Sequence, residues 1–179
     1  GPVRPRPRHR HPGQSLTMAD KLTKVELAEA FNAHLSPEAQ QEQQIAVFDL
    51  VEDNVFKPTG MVDQGPFRLN LNEHDGKLVF DVAPESGTAE PYFVLLSLTP
   101  FRQPLSDYFD ICTAYNDAIQ TASAARIESI DMARRGVHND LANLLIERLE
   151  GKIDTDLNTA RRLITLLFAL YLGRREALK

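Results

Sequence analysis

FRLNLNEHDGKLVFDV, residues 67–82, is the stretch on which the fold turns. Phe67, Leu69 and Leu71 alternate with Arg68, Asn70 and Asn72, and Leu78, Phe80 and Val82 form a second set with the same period of two. A strand turns successive side chains to opposite faces, so both segments read as strands with one apolar face. Glu73-His74-Asp75-Gly76 between them supplies the glycine that hairpin turns need for a positive φ. After the polar loop APESGTAEP, the run YFVLLSL (residues 92–98) is nearly continuous in apolar residues. That pattern predicts a third and more central strand.

Upstream, KLTKVEL (residues 21–27) places Thr23, Val25 and Leu27 on one side and predicts an edge strand, although KVELAEAFNAHL also carries a helical reading. Ser36-Pro37-Glu38 is an N-cap followed by proline at the first helical position. The helix after it runs through EAQQEQQIAVFDLVEDNVF with Ile45, Phe48, Val51 and Val55 facing the core, and Lys57-Pro58-Thr59-Gly60 ends it. Downstream, Leu105, Tyr108, Cys112, Tyr115 and Ile119 step by three and four, the spacing of an amphipathic helix. A second helix follows ASAA (residues 122–125), carries Ile127, Ile130, Val137, Leu141, Leu144, Leu145 and Leu149, and stops at Gly151. A third starts at Thr155 or Asp156 and carries Leu163, Ile164, Leu167, Phe168 and Leu170. The expected fold is α+β: a three- to four-stranded antiparallel meander packed against about four helices in a single domain.

Composition restricts the function. The 179 residues suit one domain and hold a single cysteine, Cys112, which excludes an intrachain disulfide and a zinc site built on several thiolates. No window reaches the roughly 18 apolar residues of a membrane span, and no stretch has the apolar middle of a signal peptide, so a cytoplasmic protein is expected. Arg4, Arg6, Arg8 and Arg10 give the first seventeen residues +4 of a net −5, so the remainder carries −9. An acidic body argues against nucleic-acid binding by the folded domain. Residues 1–17 read as a disordered basic Arg/Pro tail whose leading Gly-Pro resembles a protease-cleavage scar, residues 18–174 as the domain, and residues 175–179 as a frayed end.

The densest charge cluster is SIDMARRGVHND (residues 129–140). On a helix, Asp131 reaches Arg134 and Arg135 at i+3 and i+4, and Arg134 shares a face with His138 and its neighbour Asn139. Such a cluster reads as a solvated helix face or as a site for a partner or anion. Gly136 weighs toward the second, because an interior glycine costs about 1 kcal/mol relative to alanine. Arg102 lies in the first turn of its helix, where the macrodipole disfavours a cation, so an acid or an anionic partner is sought there, with Asp107 and Tyr108 close in sequence. Arg161 and Arg162 are placed to brace Glu128 or Asp131. Cys112, on the apolar stripe, reads as a packed thiol rather than a nucleophile. His34, His74 and His138 have no metal-ligand spacing, and no phosphate loop or nucleophile elbow occurs. No catalytic residue, metal ligand or cofactor is assigned.

The segments IAVFDLVEDNVF, GPFRLNL, KLVFDV, LSLTPFR, DYFDICTAYNDAI, RIESIDMARRGVHND, ERLEGKI and TARRL, in that order, resemble a small alphaproteobacterial family, uncharacterised protein family 0262. The resemblance covers residues 21–172. The family pattern places glycine at Ala133 and an aromatic residue near Asn116, so the local surface departs from it at those positions. The resemblance implies a cytoplasmic bacterial protein without assigned chemistry, and a link to cell shape through the actin-like filament. The expected function is therefore that of a non-catalytic protein-binding regulator, with the filament subunit as candidate partner and Arg102, Asp107, Tyr108, Asp131, Arg134, Arg135, His138 and Asn139 as contact residues. The alternatives are an enzyme or small-anion binder built on the Arg/His cluster, and a structural homodimer through the Leu163–Leu172 helix.

Overall fold

The computed structural model describes residues 18–87 and 90–177. The disordered tail expected at residues 1–17 lies outside them. In chain order the elements are β1 (Leu22–Leu27), α1 (Pro37–Glu52), β2 (Phe56–Pro58), β3 (Phe67–His74), β4 (Lys77–Pro84), β5 (Tyr92–Ser97), α2 (Arg102–Thr121), α3 (Ala124–Leu149), β6 (Ile153–Thr155) and α4 (Leu157–Ala177). The fold is α+β. β3, β4 and β5 form the antiparallel meander, with Leu71 opposite Phe80 and Leu69 opposite Val82. The turn between β3 and β4 is Asp75-Gly76, both with positive φ (51° and 75°), the pairing that lets a two-residue turn follow the strands' twist.

β1 is an edge strand, but it joins β3 in parallel rather than extending the meander. A parallel neighbour requires a crossover, and α1 lies in it. A register shift between Leu22 and Lys24 buries Leu22 and Val25 in place of the strict Thr23, Val25, Leu27 alternation. β5 is the opposite edge, not a central strand. Its continuous apolar run arises because Val94 and Leu96 enter the core while Phe93 and Leu95 stand exposed on the sheet's outer face.

α1 starts as expected, with the Ser36 hydroxyl accepting from the Ala39 N–H at 3.1 Å. It ends at Glu52, earlier than the sequence predicts, and is rotated: Gln43, Ala46 and Leu50 are buried, while Ile45 and Phe48 face out. Two buried amides set that rotation. Gln43 Nε2 donates to the Phe31 carbonyl at 3.0 Å. Asn54 donates to the Leu22 and Leu50 carbonyls (3.0 and 2.8 Å) and accepts from the Leu22 N–H at 2.7 Å. A buried amide without partners costs more than an exposed phenyl ring, so the amides take the inner face. Phe56 then enters β2, which pairs with β6 in a small second sheet that the sequence does not announce.

The core lies between the inner face of the larger sheet (Phe67, Leu69, Leu71, Leu78, Phe80, Val82) and α1, α3 and α4. α4 is capped by Asp156, whose carboxylate accepts from the Thr159 N–H at 2.8 Å. Leu163, Ile164, Leu167 and Leu170 are buried within the protomer, which removes the apolar surface on which the homodimer reading rested. The helix also continues past residue 174, where the sequence predicts fraying, and Arg175 lies over the Phe109 ring at 3.9 Å.

Candidate functional site

α2 has 20 residues and α3 has 26, so they are about 30 and 39 Å long. The sheet strands have six to eight residues and cannot cover that length. From α2 only Leu105 and Tyr108 pack into the core, and from α3 only residues from Val137 onward. Residues 109–136 contribute nothing to the core cluster. They form a two-helix arm closed at its tip by Ser123, whose hydroxyl caps α3 by accepting from the Arg126 N–H. Ile119 and Met132 are exposed on it, Met132 with 65% of its surface in solvent.

The base of the arm is aromatic. The Tyr108 ring meets Phe168 edge-on at 4.8 Å and His138 at 5.4 Å. Burial, reinforced by the neighbouring Cys112, pushes the Tyr108 hydroxyl up to about 12. Burial likewise raises the Cys112 thiol, which disfavours its nucleophilic form.

On the shaft, Asp131 is the hub. Its Oδ1 accepts from Arg134 Nε at 3.1 Å, and its Oδ2 lies 2.6 Å from Arg135 Nη2. The hydrogen bond from Arg134, and then the charges of both arginines, hold the Asp131 carboxyl below the usual range. Arg134 also covers the Tyr115 ring at 4.6 Å, joining α3 to α2. The two arginines differ: the Arg134 side chain is 33% exposed and the Arg135 side chain 67%.

The remaining candidates lie elsewhere. His138 turns away from the pair, and its Nε2 sits 3.0 Å from the Arg161 carbonyl. A carbonyl only accepts, so Nε2 carries the proton. Burial first, then the charges of Arg161 and Arg134, lower the His138 pKa and keep the ring neutral. Asn139 Oδ1 is buried without a partner. Arg102 is exposed at the start of α2, beside an apolar notch lined by Leu98, Leu105 and Tyr171, and has no carboxylate partner among the described residues. Asp107 accepts from Gln103 at 2.9 Å. Asp131, Arg134 and Arg135 thus form one cluster, Tyr108 and His138 the base, and Arg102 and Asp107 stand at the first turns of α2. Arg161 and Arg162 do not brace Glu128 or Asp131, because those acids lie on the arm beyond the level of His138. Arg162 bonds the Asp53 carbonyl instead.

Met132, Tyr115 and Ile119 were legible as helix residues but not as a surface. The one available signal was that α3 is longer than the strands it has to cover. Among the described residues no group of three or more His, Cys, Asp or Glu is placed to hold a metal, and no helix is long and apolar enough to cross a membrane.

Residues 19–173 match the model of the Uncharacterised protein family (UPF0262). The chain belongs to this family. The UPF0262 protein of Hyphomonas neptunium is 46% identical over 159 residues, covering 89% of this chain and 97% of the relative. That of Paracoccus denitrificans is 48% identical over 159 residues (87% and 98%), and that of Novosphingobium aromaticivorans 46% over 158 residues (85% and 96%). The UPF0262 match spans the arm and the body together. No solved structure matches the chain.

Proposed function

We propose that this UPF0262 member is a non-catalytic docking protein that engages a protein partner through the α2–α3 arm. The observation that carries this reading is the exclusion of residues 109–136 from the core. Helices of that length are held in globular proteins by tertiary packing of an apolar face, and here Ala118 is buried while Ile119 and Met132 stand 52% and 65% exposed. Arg135, one turn along α3 from Met132, is anchored at one end by Asp131 and open to solvent at the other. An arginine held in place next to exposed apolar side chains has the composition of a binding hot spot. The nucleophile candidates point away from catalysis: the Cys112 thiol is raised in pKa, and the one proton of neutral His138 is committed to a carbonyl.

Photo-crosslinking residues at Met132 and Ile119, with Phe48 on α1 as control, test this in the native cell. One discrete adduct common to the two arm positions, absent from the Phe48 control and lost on Arg135→Ala, is expected. No adduct, or the same adducts from Phe48, overturns it. Cosedimentation with the purified actin-like filament examines the candidate partner that the family resemblance suggests.

A further inference from the structure

The double arginine of α4 stands apart from the arm. We propose that the concavity between α3 and α4 lined by His138, Asn158, Arg161, Arg162 and Thr165 binds an oxyanion of the phosphate class. Its volume is about 220 Å³, room for a phosphate and attendant water, and no carboxylate lines it. In a body carrying −9, such a basic concavity opposes the mean charge.

Arg161 carries the argument. Its Nε is buried without a hydrogen-bond partner, and no carboxylate pairs with it among the described residues. Nε is closed to solvent, so an ion in the concavity meets the terminal nitrogens of the guanidinium, which make no hydrogen bond among the described residues. Arg162 is fixed through Nη1 to the Asp53 carbonyl, with the Asp53 carboxylate 3.9 Å away. That bond engages one of its nitrogens and leaves the rest of the fork free. The Arg161 carbonyl accepts from both His138 Nε2 (3.0 Å) and the Thr165 hydroxyl (3.2 Å), which holds the arginine's backbone from two sides. Asn158, in the first turn of α4, adds an amide. Two guanidinium forks and an amide offer more donors than a planar carboxylate accepts, and they suit a tetrahedral dianion.

The test uses the full chain. Inorganic phosphate, at constant ionic strength, should raise the melting temperature and shift the amides of residues 158–165 and the imidazole signals of His138, saturating at roughly millimolar or lower concentration. Acetate should produce neither effect. Phosphoserine and a nucleoside monophosphate, run alongside, distinguish a free ion from a phosphate carried by a larger ligand, since the natural source binds tighter than phosphate alone. Arg161→Gln should weaken binding about tenfold or more, the loss of a charge-assisted bond, and Asn158→Ala provides a second variant should Arg161→Gln fold poorly. Arg135→Ala on the arm should leave phosphate binding unchanged, so this site and the docking surface fail or hold separately. Shifts that do not saturate, that acetate reproduces, or that survive both Arg161→Gln and Asn158→Ala overturn the assignment.

Discussion

Tyr108 is where three helices meet, and its titration reports on that junction. Its hydroxyl ionises at 10.0 in the unfolded chain and about 12 in the folded one. The folded value is the higher, so the associated stability is fully present below pH 10 and lost as pH climbs from 10 to 12. Cys112 adds a loss of the same sign starting near its unfolded value of 9.0. Urea denaturation at stepped alkaline pH should show this decline, and Tyr108→Phe in a Cys112→Ala background, which keeps the ring contacts with Phe168 and His138, should flatten it. An unchanged slope would mean that the hydroxyl is not desolvated. Acid acts in the opposite direction through His138. Its folded pKa lies below 6.5, so its contribution is present above 6.5 and is lost as pH falls, because the unfolded chain takes the proton first.

α1 shows how two polar residues can outrank an apolar pattern. Phe48 is 65% exposed and Leu50 fully buried. Phe48→Ser is expected to change stability by no more than about 0.5 kcal/mol. Leu50→Ala should cost about 3 kcal/mol through its cavity, and Asn54→Ala about 2 kcal/mol by orphaning the Leu22 N–H. Chemical denaturation of the three variants checks the order, and a large loss at Phe48 would restore the sequence-predicted face. The β3–β4 hairpin was legible because local rules decide it: alternation sets the faces and Asp75-Gly76 sets the turn. The start of α1 was legible for the same reason. The rotation of α1, the edge position of β5 and the pairing of β2 with β6 were not, since each depends on a partner distant in sequence. The candidate site divides along the same line. The Asp131, Arg134, Arg135 cluster is an i+3, i+4 relation within one helix and could be read directly. The separation of His138 from it, and the meeting of His138 with Arg161, arise only from the packing of α3 on α4.

The molecule is a sheet-and-helix body with an arm built from the far parts of α2 and α3, and the two parts should differ in stability. The body buries Leu141, Leu145 and Leu149 of α3, whereas the arm segment of that helix buries none of its residues. Local opening follows burial, so arm amides should exchange through a sub-global opening of lower free energy than those of β3, β4 and α4. Gly136 marks the boundary, one residue before Val137, the first α3 side chain packed on the core. A Cβ placed there meets nothing within 4 Å, so the glycine is not required by any intramolecular contact. Gly136→Ala should therefore stabilise the helix by about 1 kcal/mol, and the gain should appear as slower exchange in residues 124–135. Native-state hydrogen exchange on both proteins measures this. If arm amides exchange only through global unfolding, the arm belongs to the cooperative core and the docking reading loses its free surface. If the arm opens independently, and Gly136→Ala slows its exchange yet abolishes the Met132 crosslink, the bare backbone at Gly136 is part of the docking surface.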